Sequence, residues 1–371
     1  MDFRTILMPL AMMFWIECRE DNKSLLFNNF YSDSKNNQSN AEASSTTRVM
    51  SFEEVICYVN INVEIGISRL LSSILALIGN GLVIGYGLYN RKKLSSFRYL
   101  ILGLAISDIV FAITQTIMSV HQIWTCYWLF SKYTCKFLRA INHASVNISV
   151  GFIVIIALDR YICILYSFSL AWNQTKLLLV ALMNVLTGLL LVVPQAIFLH
   201  VSKFNTCSEE WSNSNPTVYS YSLLIIYYII PILLLSFLYY IMIVWLKKAF
   251  LKSKVLNNEQ LKSRVKKNRR TLTMLILILA SFAILVLPSR VVWIVSDHYG
   301  LNKIKNKNII RFLITFSEVP DGFHASVNPI IYTIHGFKFK SQIQKVSIYF
   351  KSKSISNIHA TVNINTISNI Q

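Results

Sequence analysis

Long apolar runs alternate with short polar, mostly basic segments along this chain. Seven runs lie near 65–90, 98–122, 133–163, 175–199, 218–246, 271–296 and 308–334. Each has the roughly 20 residues that a helix needs to cross about 30 Å of hydrocarbon. The third run is the most informative. It opens on Cys135, continues through FLRAINHASVNISVGFIVIIAL and closes on Asp159-Arg160-Tyr161. As a helix rising about 1.5 Å per residue it would put the cysteine at one membrane face and the Asp-Arg pair at the other. Asn142, Ser149 and Arg160 are 7 and 18 residues apart, which places them on one face of that helix. A polar stripe on an apolar helix points into a bundle. Pro194, Pro231, Pro288 and Pro329 fall inside the runs. They would break soluble helices but are tolerated where neighbouring helices satisfy the freed carbonyls. The pattern predicts an all-α membrane protein, a seven-transmembrane helix bundle with a short amphipathic eighth helix from Phe337.

Composition agrees. The 371 residues are 54% hydrophobic and only 14% charged, unlike a soluble domain. A net charge of +19 would suit nucleic acid, but the basic residues sit between apolar runs, so no nucleic-acid partner is expected. With the N-terminus outside, the inner loops and the tail after the last span carry 20 basic residues and the outer loops 6. That asymmetry orients the chain N-out and C-in, multi-pass in the plasma membrane, with the lipid bilayer as a partner. Residues 1–64 read as an extracellular tail, 65–335 as the membrane domain, and 336–371 as an amphipathic helix with a cytoplasmic tail. The run Ile6 to Ile16 is too short to span. A cleaved signal peptide over 1–18 stays open, although no small-x-small cleavage site follows the run. Asn22 and Asn37 begin glycosylation sequons, consistent with an outer tail.

Several residues carry chemistry. Asp108 lies mid-span in the second run. Asn80, Ser149 and Asn328 lie at similar depths, and the group either holds a small cation or forms a polar knot that fixes helix packing. Asp159 pairs with Arg160 in a resting state, and a released guanidinium can donate several hydrogen bonds to a partner. A disulfide between Cys135 and Cys207 would pin the second outer loop over the bundle mouth. Cys57 and Cys126 also face outward and form a second candidate pair. No hydrolytic site, cofactor site or multidentate metal site is visible, so an enzyme is not expected. His121, His143, His200 and His324 read as hydrogen-bonded bundle residues. A transporter or channel reading lacks internal repeats and a continuous polar pathway.

Taken together the motifs resemble the rhodopsin-like (class A) G-protein-coupled receptors over roughly residues 65–345, and neuropeptide receptors in particular. They are Gly79-Asn80-x-x-Val83, Leu104-Ala-x-x-Asp108, Trp128-x-Phe130, Cys135 with Asp159-Arg160-Tyr161, Pro231 with Tyr239, Phe282 with Pro288, and Asn328-Pro329-Ile-Ile-Tyr332. The resemblance implies an agonist-gated switch that engages heterotrimeric G proteins, with arrestin and receptor kinases as further partners. It implies that Arg160 meets a Gα helix while Tyr239 and Tyr332 rearrange toward it. It also implies Na+, an allosteric ion rather than a cofactor, at Asp108, Ser149 and Asn328.

The departures are Val286 in place of the usual tryptophan, Asn184 ten residues before Pro194, Ser167 for proline, and His324 where asparagine is common. Asn142 stands where amine receptors carry an acid, and Gly322 where a retinal pigment carries lysine. A peptide with a basic or amidated aromatic end is the expected ligand class, with a non-peptide small molecule as the alternative. Cys207-Ser-Glu209-Glu210-Trp211 resembles a loop pattern of neuropeptide receptors. Asp297 stands where such receptors hold a ligand arginine, and Trp293 and Gln122 belong to the mouth. Arg290, Glu318 and Asp321 either neutralise one another, or Arg290 takes an acidic group while Glu318 faces a basic one.

No acid faces Arg160 across the inner mouth near Asn268, so a loosened resting state is expected. Ligand-free second-messenger levels should exceed those of mock-transfected cells at matched surface expression. Equal levels would contradict the reading.

Overall fold

The computed structural model describes residues 52–89, 95–125, 128–166, 174–202, 205–209, 211 and 216–336. They lie within one compact unit, Ser51–Gln371. Asn22, Asn37, Cys126, Glu210 and the segment from Phe337 onward fall outside the described residues, as does the expected eighth helix.

A short helix, Phe52–Tyr58, precedes seven long helical segments. The first span is Asn62–Tyr89, the second Ser96–Trp124 and the third Lys132–Leu165. The fourth is Gln174–Leu190, continued by Val193–Phe198. The fifth is Pro216–Leu224, Ile225–Ile229 and Ile230–Val255 in succession. The sixth is Glu259–Tyr299 and the seventh Lys307–Ile331. Six of them are long and apolar enough to cross a membrane. The seventh, which carries Arg311, Glu318 and Asp321, is outside that set. Its main packing partners are the sixth span and the first. The first span also packs on the second, and the third on the second, fourth and fifth, so the ring closes. Large apolar side chains such as Leu71, Ile78, Leu178, Leu190 and Ile284 are more than half exposed on its outside. Lipid covers such surface where water would penalise it.

Local sequence explains the ends and breaks. Ser131 caps the third span by accepting from the Thr134 N–H at 3.2 Å. Asn258 caps the sixth by accepting from the Leu261 N–H at 2.9 Å. Gly300 ends it at φ 73°. Pro194 sits in the first turn of the helix Val193–Phe198, where its missing N–H costs nothing. Pro231 has no N–H for the turn before it, and a π segment, Ile225–Ile229, precedes it. There the Ile230 N–H donates five residues back to the Ile225 carbonyl. The basic stretch 247–270 is helical on both sides of a short turn. The fifth span runs to Val255 and the sixth starts at Glu259, so only Leu256, Asn257 and Asn258 turn the chain. Lysine and arginine are good helix formers, and charge alone did not mark the break.

Two short strands, β1 (Leu199–Val201) and β2 (Cys207–Glu209), form an antiparallel hairpin that pairs Leu199 with Glu209 and Val201 with Cys207. Its turn is held by the Ser202 N–H on the Thr206 carbonyl at 2.8 Å. The expected bridge is present: Cys135 and Cys207 are joined, with Cα atoms 5.7 Å apart. Cys57 is also disulfide-bonded.

The first and seventh spans touch at Gly79, where an added Cβ would lie 2.8 Å from the Pro329 ring. A Cβ at Gly81 would meet nothing within 4 Å. Gly79→Val should therefore cost about 1–3 kcal/mol through overpacking against a rigid ring. Gly81→Val should cost far less. Thermal unfolding of the detergent-solubilised protein compares the two.

Candidate ligand site and signalling end

A cavity of about 130 Å3 lies under the hairpin, between the spans. Gln122 and Gln115 reach it from the second span, Arg139, Asn142 and His143 from the third, and Gln195 from the fourth. Tyr219 enters from the fifth, Arg290 and Trp293 from the sixth, and Glu318 and Asp321 from the seventh. Thr206 and Cys207 of the hairpin line it, as do Ile56 and Cys57 of the short helix.

The first span contributes Arg69, which donates to Glu318 in an ion pair and to the Gln122 side chain at 2.9 Å. Glu318 is therefore already neutralised. The expectation that it faces a basic ligand group gives way to this intramolecular pair, because a carboxylate in low dielectric takes the nearest guanidinium. A charge inside an apolar run is the signal that marks Arg69, in ISRLLSS. Asn142 is buried and donates to Thr114 Oγ1 at 2.9 Å, so it floors the cavity rather than projecting into it. Arg290 has no hydrogen bond or ion pair among the described residues, and the Asp321 side chain has none either, its Oδ1 being buried.

Other expected contacts lie off the cavity. Glu209 accepts from Gln195 Nε2 at 2.6 Å and from Trp211 Nε1 at 2.9 Å. Trp211 stacks on Phe198, with ring centroids 4.1 Å apart. Asp297 accepts from Ser220 Oγ at 2.5 Å. These three are tied to the rim, and Glu210 is outside the described residues.

Deeper in the bundle, Asp108 is fully buried. It accepts from Ser149 Oγ at 2.8 Å and Asn328 Nδ2 at 2.9 Å, and Ser149 also contacts Ser107 at 2.8 Å. Asn80 is not in this knot. Its amide donates to the Ala76 and Ala325 carbonyls at 3.0 and 3.1 Å. Both carboxylate oxygens of Asp108 are engaged, yet a hard cation would still find free lone pairs there and on the Ser149 hydroxyl.

At the far end Asp159 Oδ2 accepts from Arg160 Nε at 2.9 Å and Nη2 at 2.5 Å. The guanidinium also lies 4.4 Å over the Phe97 ring. Tyr239 and Tyr332 are buried in the adjoining apolar cluster with Met242, Leu246, Leu275 and Ile278, and neither hydroxyl has a hydrogen-bond partner among the described residues. Val286 is buried against Val150, Tyr228 and Phe282. The Tyr228 hydroxyl donates to the Ala283 carbonyl at 2.6 Å, next to the Ile284 carbonyl that Pro288 leaves without a donor.

The model of the 7 transmembrane receptor (rhodopsin family) matches residues 79–332. The chain belongs to that family. The receptor is 26% identical over 291 residues to rat succinate receptor 1, covering 75% of this chain and 89% of that protein. It is 22% identical over 300 residues to the rat pyroglutamylated RF-amide peptide receptor, covering 76% and 69%. Its fold is similar to the crystal structure of squid rhodopsin, with a TM-score of 0.65 and 20% identity over 79% of this chain and 87% of that one. It is thus a multi-pass membrane receptor of the G-protein-coupled class, not an enzyme.

Removing Arg69 would leave Glu318 charged and uncompensated in the receptor. Arg69→Met should cost about 3–5 kcal/mol of stability, and Arg69→Met with Glu318→Met should recover most of it. Detergent-state thermal unfolding of the two single variants and the double variant measures the coupling.

Proposed function

We propose that the receptor sits in the plasma membrane with its N-terminus outside, and that it answers an extracellular ligand bringing an acidic group to Arg290. The carrying observation is that Arg290 lines the cavity with no ion-pair partner while Arg69 is already matched by Glu318. A guanidinium held away from water gains most from a carboxylate that it can bind with two hydrogen bonds. On the inner side, an agonist-favoured state frees Arg160 from Asp159 to meet a Gα helix. The partnerless hydroxyls of Tyr239 and Tyr332 then find hydrogen bonds in the opened end. Asp108, Ser149 and Asn328 are the proposed sodium position. Arrestin and receptor kinases are the proposed partners of the tail from 336, and Asn22 and Asn37 the proposed glycan sites.

A neuropeptide with a free carboxyl end is one ligand of this kind. The aromatic group at the rim, Phe198, Trp211 and Tyr219, and the likeness to a peptide receptor support it. Glu209, Glu210, Trp211 and Asp297 would then meet the peptide outside the cavity. A small organic acid is the second reading. It is favoured by a cavity smaller than the roughly 300–1,000 Å3 of sites for drug-sized ligands and by likeness to a receptor named for succinate.

Cells expressing the receptor at matched surface levels should respond to free-acid forms in a panel of peptides and small carboxylates at concentrations about tenfold or more below those of the matched amides. Arg290→Gln should close that gap. Equal potency of acid and amide in the native receptor would overturn the proposal.

A further inference from the structure

The cavity has a covering that belongs to the chain itself. The helix Phe52–Tyr58 packs against β2 of the hairpin and against the 3-10 turn Leu301–Lys303 between the sixth and seventh spans. Its apolar side is buried, with Val55 at 0% and Ile56 at 2% exposure. Phe52 stacks on Trp293, with ring centroids 4.5 Å apart and planes at 22°. Thr206 Oγ1 donates to Glu54 at 3.4 Å. Cys57 is covalently tied, and Lys307 Nζ lies 4.1 Å over the Tyr58 ring. The helix is therefore fastened at both ends, and Ile56 and Cys57 are part of the cavity lining.

Under this covering two groups of opposite sign attract one another across the cavity without meeting in a hydrogen bond or close ion pair. Arg290 and Asp321 both line the cavity, and neither side chain has a hydrogen bond or ion pair among the described residues. The other acid of the sequence pattern, Glu318, is matched by Arg69. Charges at membrane depth are costly, and attraction at a distance compensates them less than direct pairing, which a ligand carrying both complementary charges supplies to each. A volume of about 130 Å3 suits a molecule of amino-acid size.

Resting on the reading of this cavity as the ligand site, we propose that Phe52–Tyr58 is its roof and that the roofed cavity takes a small zwitterion. The ligand is an amino acid or close analogue, with its carboxylate on Arg290 and its ammonium on Asp321. No covalent step is involved. The roof sets the size limit, and the two charges set the chemical class.

The test uses the full-length receptor in cells at matched surface expression. The common amino acids, their amides and N-acetyl derivatives, simple dicarboxylates, and short free-acid peptides are applied separately. One or more free amino acids should activate, while the matched amides and N-acetyl forms should each lose about tenfold or more in potency. Asp321→Asn should abolish the preference for the free amine while leaving the requirement for the carboxylate. Phe52→Ala should weaken the amino acid and admit dipeptides that the native receptor rejects, a gain that misfolding does not produce. Equal activation by N-acetyl forms or by dicarboxylates overturns the zwitterion and leaves the acid reading of Arg290 standing. Activation by peptides alone, or an unchanged size limit in Phe52→Ala, overturns the roof. Activation by amides as strong as by acids overturns the Arg290 reading itself, and silence from every class overturns the proposal.

Discussion

A charge placed inside a membrane must find its counterpart within the protein. Water is not there to solvate it, and lipid cannot. That constraint organises this receptor from end to end. Asp108 is held by hydroxyl and amide groups of the third and seventh spans. Arg69 of the first span reaches Glu318 of the seventh. Asp159 holds Arg160 beside it. Two of these three links join spans distant in sequence, and both draw on the seventh, the span that falls outside the apolar set. Its polar residues make it poor at crossing a bilayer alone and good at tying the ring closed.

The same constraint locates function. Where the accounting balances, the groups serve packing, or a resting state that a partner must open. Arg290 and Asp321 attract one another without a close ion pair, and the proposed ligand is what would pair with each directly. The partnerless hydroxyls of Tyr239 and Tyr332 mark the other end in the same way. Between the two ends Val286 offers only apolar contact, to Val150, Tyr228 and Phe282. The Tyr228 hydroxyl on the Ala283 carbonyl is the polar link between the fifth and sixth spans at that level.

The hairpin and the short helix play a different part. They are built from few residues, and bridges hold them: Cys135 to Cys207 at the top of the third span, and a second at Cys57. Their rim is rich in aromatic side chains stacked on one another, including Phe52 on Trp293 and Trp211 on Phe198. Glu209 and Asp297 are held on this rim by Gln195, Trp211 and Ser220, outside the cavity.

The sequence alone determined the architecture. Apolar length, proline tolerance and the order of motifs from Gly79 to Tyr332 are local properties, and the bilayer enforces them directly. The Cys135–Cys207 bridge and the meeting of Asp108, Ser149 and Asn328 were legible as well, since helical spacing sets depth. Partnership was not legible. Arg69 lies 249 residues from Glu318, and nothing in either neighbourhood says that they meet. The place of the turn within the basic stretch 247–270 was not legible either, since it depends on packing and on the Asn258 cap. The roof over the cavity was equally hidden, because Phe52 reaches Trp293 only once the ring of spans has closed. Depth in the membrane follows from counting residues along a helix. Which residues at one depth face each other follows from the rotation and packing of separate helices, and only the tertiary structure decides that.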